Sequence, residues 1–109
     1  MRDDRPLWTP SRASIEATPI YRFMQASNRD FGLSMASYAD LHAWSVAERE
    51  SFWTAVWEFC DVRGDRGARA LVDGDVMLDA RFFPDATLNF AENLLSGEGA
   101  GEAIIFRGE

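Results

Sequence analysis

His42 is the sole histidine and Cys60 the sole cysteine of the chain, so any site built on imidazole or thiolate must use one of them. A Ser-His-Asp or Cys-His site needs a nucleophile set against a base, yet no nucleophile-elbow pattern surrounds any serine. One His and one Cys without paired spacing do not suit zinc. His42, two residues before Trp44, fits an interhelical histidine. Cys60 closes an apolar helical stripe with only the loop arginine Arg63 nearby, and fits an inert small hydrophobe.

The remaining candidates are equally bland. Asp73, Asp75 and Asp79 lack the residue order and closing Glu of a calcium loop, and Asp73-Gly74 reads more simply as a turn. Gly97, Gly99 and Gly101 precede an apolar run, whereas a phosphate-binding glycine loop follows a strand and opens a helix. Arg63, Arg66 and Arg69 could receive a phosphate, but Asp61 and Asp65 are interleaved with them and favour a self-neutralised loop. Trp53 and Trp57, at helical spacing, fit core better than a stacking platform. All eleven basic residues are Arg. Without lysine the chain offers no Schiff base and no P-loop ammonium. No residue is assigned a catalytic, cofactor-binding or metal-binding role.

The scaffold that would position such groups is small. At 109 residues, 47% of them apolar, with 8 Phe, 4 Trp and 2 Tyr, the chain has material for one modest core. A net charge of −7 repels phosphate backbones and anionic lipid, so neither nucleic acid nor a membrane surface is an expected partner. The longest stretch free of charged residues runs only from Phe31 to Ala39, too short for a membrane span. No apolar segment of signal-peptide type follows Met1 to Pro6, and a single cysteine fits a reducing cytoplasm.

Along the chain, residues 1–10 read as an extended arm carrying Leu7 and Trp8. Ser11 caps a short helix reaching Ala17. Thr18-Pro19 then starts a helix with Ile20, Phe23, Met24 and Phe31 on one face, Ser27 as a polar gap in the stripe, and Gly32 as its left-handed stop. A short helix follows Ser37 over Tyr38 to Trp44. Ser45 and Glu48 read as a capping box opening a helix to about Cys60, with an apolar stripe through Phe52, Trp53, Val56, Trp57, Phe59 and Cys60. Ala70 to Val72, a two-residue Asp73-Gly74 turn and Asp75 to Leu78 read as a hairpin. Phe82-Phe83-Pro84 is expected to be extended. Leu88 to Leu95 reads as a helix, Gly97 to Gly101 as a linker, and Ala103 to Phe106 as a strand whose sheet lies elsewhere.

Several blocks taken together resemble a known family. Leu7-Trp8-Thr9-Pro10-Ser11, Tyr21-Arg22-Phe23-Met24, His42-Ala43-Trp44-Ser45-Val46 and Phe52-Trp53-x-x-Val56-Trp57-x-Phe59 follow one another as in acetoacetate–CoA ligases. More specific are Leu71-Val72-Asp73-Gly74-Asp75, Ala80-Arg81-Phe82-Phe83-Pro84 and Leu88-Asn89-Phe90-Ala91-Glu92-Asn93-Leu94-Leu95. The resemblance covers residues 7–106, and acetyl- and propionyl-CoA synthetases share a looser version of it.

The resemblance implies the N-terminal cap region of an α/β adenylate-forming enzyme, mainly α with a short β-hairpin. Residues 1–96 would be its helical N-terminal domain, and 97–109 a linker and the first strand of a large AMP-binding domain. ATP, Mg²⁺ and CoA are implied for a full-length ligase acting on acetoacetate, whereas this piece should bind no cofactor and be inactive alone. Its phosphate loop, hinge and catalytic lysine would all come later, so no catalytic residue is carried over. The expected partner is the rest of the same chain, met through Arg81, Phe82, Phe83, Leu88, Phe90 and Leu94. Another short-chain acyl-CoA synthetase, or a stand-alone interaction module, are the alternatives.

Overall fold

A computed structural model describes residues 5–97 and 99–109. The chain divides after Cys60 into two compact units, and each is built differently.

The first unit is helical: α1 (Arg12–Glu16), α2 (Pro19–Phe31), α3 (Tyr38–Ala47) and α4 (Arg49–Phe59). Its starts and stops follow from local chemistry. The Ser11 and Thr18 side chains accept from the N–H groups of Ser14 and Tyr21, Pro19 occupies the first turn of α2, and Gly32 ends that helix at φ 65°. Leu7 and Trp8 of the N-terminal arm are exposed; residues 1–4 of that arm lie outside the described residues.

One capping expectation is corrected. The capping box is Ser37–Asp40, at the start of α3: Ser37 Oγ accepts from Asp40 N, and Asp40 Oδ2 accepts from Ser37 N at 3.0 Å. Ser45 instead lies inside α3 and donates its hydroxyl to His42 O at 2.7 Å, a back-bond that removes it as a cap. The expected helix end at Trp44 therefore moves to Ala47. Glu48, at φ −119° and ψ 58°, both ends α3 and precedes α4, with no side-chain cap of its own.

The core of this unit comprises Phe23, Met24, Met35, Leu41, Trp44 and Ala55, with Tyr21, Leu33, Phe52 and Val56 packed against it. Phe52 is the hub of the aromatic packing. Its ring meets Phe23 edge-on at 5.7 Å, Trp44 at 5.8 Å and Trp53 at 5.3 Å. The stripe expected on α4 is only partly buried: Trp53 and Phe59 are exposed, and Ala55 is the residue that reaches the core. Asn28 clamps the turn after α2, accepting from Met35 N and donating to Met35 O, both at 2.9 Å. That clamp fixes the loop which lets Met35 be buried.

Ser27, read as a gap in the stripe, is the most deeply buried side chain at 2% exposure, and its Oγ has no hydrogen-bond partner. An unpaired buried hydroxyl costs more than it contributes. Ser27→Ala is therefore expected to hold or raise stability by about 1 kcal/mol, aided by the better helix propensity of alanine. A thermal melt of the variant checks this; a drop in Tm would show that the hydroxyl is satisfied in solution.

Asp40 gives a pH dependence. Hydrogen bonds from Ala36 N, then from the Ser37 side chain and N–H, hold its carboxyl below the usual carboxylate value. A depressed folded pKa contributes stability that is present above the unfolded value, about 3.9, and lost as pH falls through the folded one. Helix content should therefore hold from neutrality to about pH 5 and decline below about pH 4. Asp40→Asn should show a smaller acid transition in circular dichroism, and an identical titration would remove Asp40 from the account.

The second unit contains β1 (Leu71–Val72), β2 (Arg81–Phe82) and α5 (Phe90–Leu94). Here the hairpin is corrected. β1 pairs antiparallel with β2, Leu71 opposite Phe82 and Val72 opposite Arg81, rather than with Asp75 to Leu78. A two-residue type I′ turn needs positive φ at both central residues, and only Asp73 adopts it, at 52°, while Gly74 does not. Residues 73–80 form a longer turn instead, held by Val76 N to Asp73 O at 3.0 Å, Asp79 N to Val76 O at 2.9 Å and Ala80 N to Val76 O at 2.8 Å.

Phe83 is also corrected. It is not extended but left-handed, at φ 46°, pinned because its N–H donates to Ala70 O and its carbonyl accepts from Ala86 N. Asn89 caps α5, which is shorter than expected. Ile104, Ile105 and Phe106 are exposed and pair with neither β1 nor β2. The linker expected over Gly97 to Gly101 includes Glu98, which lies outside the described residues.

Candidate functional site

Among the described residues no group of His, Cys, Asp and Glu is arranged to hold a metal ion. Asp73, Asp75 and Asp79 belong to the 73–80 turn, where the backbone of Asp73 and Asp79 makes its hydrogen bonds. One arginine of the loop is paired with an acid further along the chain. Arg69 forms a bidentate pair with Asp85, Nε to Oδ2 at 2.8 Å and Nη2 to Oδ1 at 2.6 Å. Those hydrogen bonds hold the Asp85 carboxyl below its ordinary value. Asp65 accepts from Gly67 N at 2.8 Å and joins Thr87 through two backbone hydrogen bonds.

His42 and Cys60 line one groove of about 340 Å³ between α2, α3 and α4, with Ile20, Phe23 and Phe52 among its apolar walls. Both are exposed: Cys60 is not the buried hydrophobe expected, while His42 faces the groove between the helices from its rim. Cys60 is the C-terminal cap of α4 and sits where the helix leaves the core, while His42 stacks on Tyr38 at 6.5 Å. The serine hydroxyl lining the groove on α3, that of Ser45, donates to a backbone carbonyl. A nucleophile set against a base is not formed there.

The six residues expected to meet another body all fall in the second unit. Arg81 and Phe82 are β2 and exposed; Phe83 is half-buried in its left-handed turn. Leu88 is exposed just before the cap of α5, and Phe90 and Leu94 lie one turn apart on that helix at 74% and 71% exposure. None of the described residues of this unit is buried. Its order comes from polar ties: Asn93 accepts from Arg63 N and donates to Arg63 O, both at 2.8 Å, so α5 is bound to the start of the unit by one side chain. Sequence reading missed Asn93, although an asparagine on a short helix is a recurrent backbone clamp. It also missed Val76, Met77 and Leu78, which the turn leaves exposed.

Among the described residues no helix is long and apolar enough to cross a membrane. The chain has no lysine, Arg69 is committed to Asp85, and among the described residues no group of acids is placed to hold a metal ion, so those residues do not fit a Mg–ATP site.

Comparison with known proteins places this arrangement. The sequence profile described as "Acetyl-coenzyme A synthetase N-terminus" matches residues 38–94. The chain is 58% identical over 109 residues to an acetoacetyl-coenzyme A synthetase of Rhizobium meliloti, spanning all of this chain and 17% of that protein. It is 38% identical over 91 residues to a malonamoyl-CoA synthetase of Penicillium aethiopicum, covering 82% of this chain and 12% of that one. The solved acetoacetyl-CoA synthetase from Streptomyces lividans shares the fold at a TM-score of 0.73 and 43% identity, over 81% of this chain and 14% of that chain. The helical unit, the β1–β2 pair and α5 thus match a small part of those longer proteins, and the chain belongs to the acetyl-coenzyme A synthetase N-terminus family.

Proposed function

We propose that the chain is the N-terminal portion of a ligase that activates acetoacetate with ATP and passes the acyl group to CoA. The observation that carries this is the 58% identity to an acetoacetyl-coenzyme A synthetase along all 109 residues. In that chemistry the carboxylate displaces pyrophosphate from ATP to give an acyl-adenylate, and the CoA thiol then expels AMP. The adenylate makes the second step feasible because AMP leaves far more readily than hydroxide. ATP, Mg²⁺ and CoA would be held by parts of the enzyme beyond this chain.

Residues 1–96 then serve as the N-terminal domain, and 97–109 as the linker and first strand of a large AMP-binding domain. The docking residues are Arg81, Phe82, Phe83, Leu88, Phe90 and Leu94; the exposure of Phe90 and Leu94 supports that role. A reducing cytoplasm suits a chain whose one thiol is exposed.

The malonamoyl-CoA relative favours a second substrate within the same chemistry, since both named acyl groups carry a carbonyl on the β carbon. The test is ATP–pyrophosphate exchange with acetoacetate, malonamate and acetate, on this chain and on a longer ligase containing it. Exchange driven by acetoacetate in the longer protein alone is the expected result. Exchange in the 109-residue chain, or preference for acetate in the longer one, would overturn the reading.

A further inference from the structure

Resting on the ligase reading, we propose that the 73–80 turn is a docking element, with Met77 and Leu78 inserting into the part of the ligase that follows Glu109 in the same chain. Three observations converge on this. The turn is built to hold a shape: three backbone hydrogen bonds cross it, Asp73 is left-handed, and its two ends are anchored by the β1–β2 pair. The side chains at its tip are nevertheless the wrong kind for a solvent turn. Met77 is 92% and Leu78 96% exposed, beside half-exposed Val76, although Asp73, Asp75 and Asp79 would suffice for a polar turn. Ordered apolar side chains held into solvent mark an interaction surface.

The cover does not come from the unit itself, because none of its described residues is buried and the turn shields no core. The remainder of the ligase is the favoured occupant for reasons of length and tethering. The chain spans 17% of its Rhizobium relative and 14% of the Streptomyces structure, so most of such a protein lies outside it. A covalently tethered surface also has an effective concentration that a separate protein or a second copy seldom matches. The chemistry of the socket follows from the turn. It is an apolar recess able to accept a flexible thioether and an isobutyl group, with a basic rim opposite Asp73, Asp75 and Asp79.

The experiment places cysteine at the tip, as Met77→Cys or Leu78→Cys with Cys60→Ser, and follows maleimide labelling of that peptide by mass spectrometry. It is done in a longer ligase and in the 109-residue chain. Labelling slower by on the order of tenfold or more in the longer protein is expected, because the tip must first be released. Equal rates in the two would overturn the proposal. Slow labelling in both that speeds up on dilution would also overturn it, in favour of a second copy. In the intact cysteine pattern, Met77→Asp combined with Leu78→Asp should raise hydrogen exchange across residues 73–80 of the longer protein, and unchanged exchange there contradicts docking. Pyrophosphate exchange on the same preparations keeps the two ideas apart. Exchange without protection of the tip sinks the docking alone, and protection without exchange sinks the ligase reading alone.

Discussion

Trp44→Ala is expected to cost about 3–5 kcal/mol and to melt the helical unit as a whole. Trp44 is 9% exposed, and its indole meets Phe31 at 5.3 Å and Phe52 at 5.8 Å, so one side chain links α2, α3 and α4. Removing it takes a large aromatic surface from the core and leaves Phe52 without one of its edge-on neighbours. A unit of this size has only a few kcal/mol in total, at roughly 0.05–0.15 kcal/mol per residue, so the loss approaches the whole. In a domain of 60–100 residues each kcal/mol moves Tm by about 4–8 °C, which makes the effect unmistakable in a circular-dichroism melt. Trp53→Ala is the control. That ring is 40% exposed, and its loss should cost clearly less than that of Trp44. Equal melting of the two variants would mean that Trp44 contributes no more to the core than the half-exposed Trp53 does.

These two tryptophans also show what sequence could and could not reveal. Helix existence was legible because its signals are local: Ser11, Thr18-Pro19, Ser37 and Gly32 all sit at or beside real termini. Which aromatic is buried was not, since Trp44, Trp53 and Trp57 all lie at plausible helical spacing, and crossing geometry decides among them. The Ser45–Glu48 box failed for a related reason. A serine can cap forward or bond backward, and the choice rests on whether the preceding helix continues through it. Ser27 shows the limit of counting polarity, because a small side chain where two helices approach is buried by closeness, whatever its hydroxyl prefers.

In the second unit little was legible beyond the presence of turns. The Asp73-Gly74 signal was real as a bend, yet the partner of β1 lies eight residues further on. The tie between Asp65 and Thr87, the Arg69–Asp85 pair and the Asn93 clamp connect positions 16 to 30 residues apart, beyond any periodicity. The candidate site shared that fate. The resemblance pointed to Phe90 and Leu94 as docking residues, whereas Met77 and Leu78, set within what read as a strand, gave no sign that they stand on a turn. A unit held by such ties depends on close backbone approach, and approach of that kind depends on glycine.

Gly67→Ala should therefore disrupt the second unit while leaving the helices of the first intact. Gly67 sits at φ 73°, and a methyl group there would lie 2.6 Å from Asp85 Cβ and 3.0 Å from Asp85 C. The obstacle is largely backbone, and Asp85 is itself held by Arg69, so neither side can give way cheaply. The left-handed φ adds about 1–2 kcal/mol, and overpacking typically about 1–3 kcal/mol more. Gly64→Ala should behave alike, because at φ 146° its methyl would meet Leu88 Cβ at 2.6 Å and Thr87 O at 2.7 Å. The two glycines flank the Asp65–Thr87 pair, whose hydrogen bonds of 2.8 and 2.9 Å should be the first to open. Amide exchange reads this directly: Asp65 and Thr87 should lose protection in either variant while the amides of α2 to α4 keep theirs. Gly32→Ala separates clash from conformation, since it has φ 65° but nothing within 4 Å, and should cost only about 1–2 kcal/mol. If Gly67→Ala proves no worse than Gly32→Ala, then the 64–69 and 85–88 segments are not in contact in solution, and the ties assigned to this unit are wrong.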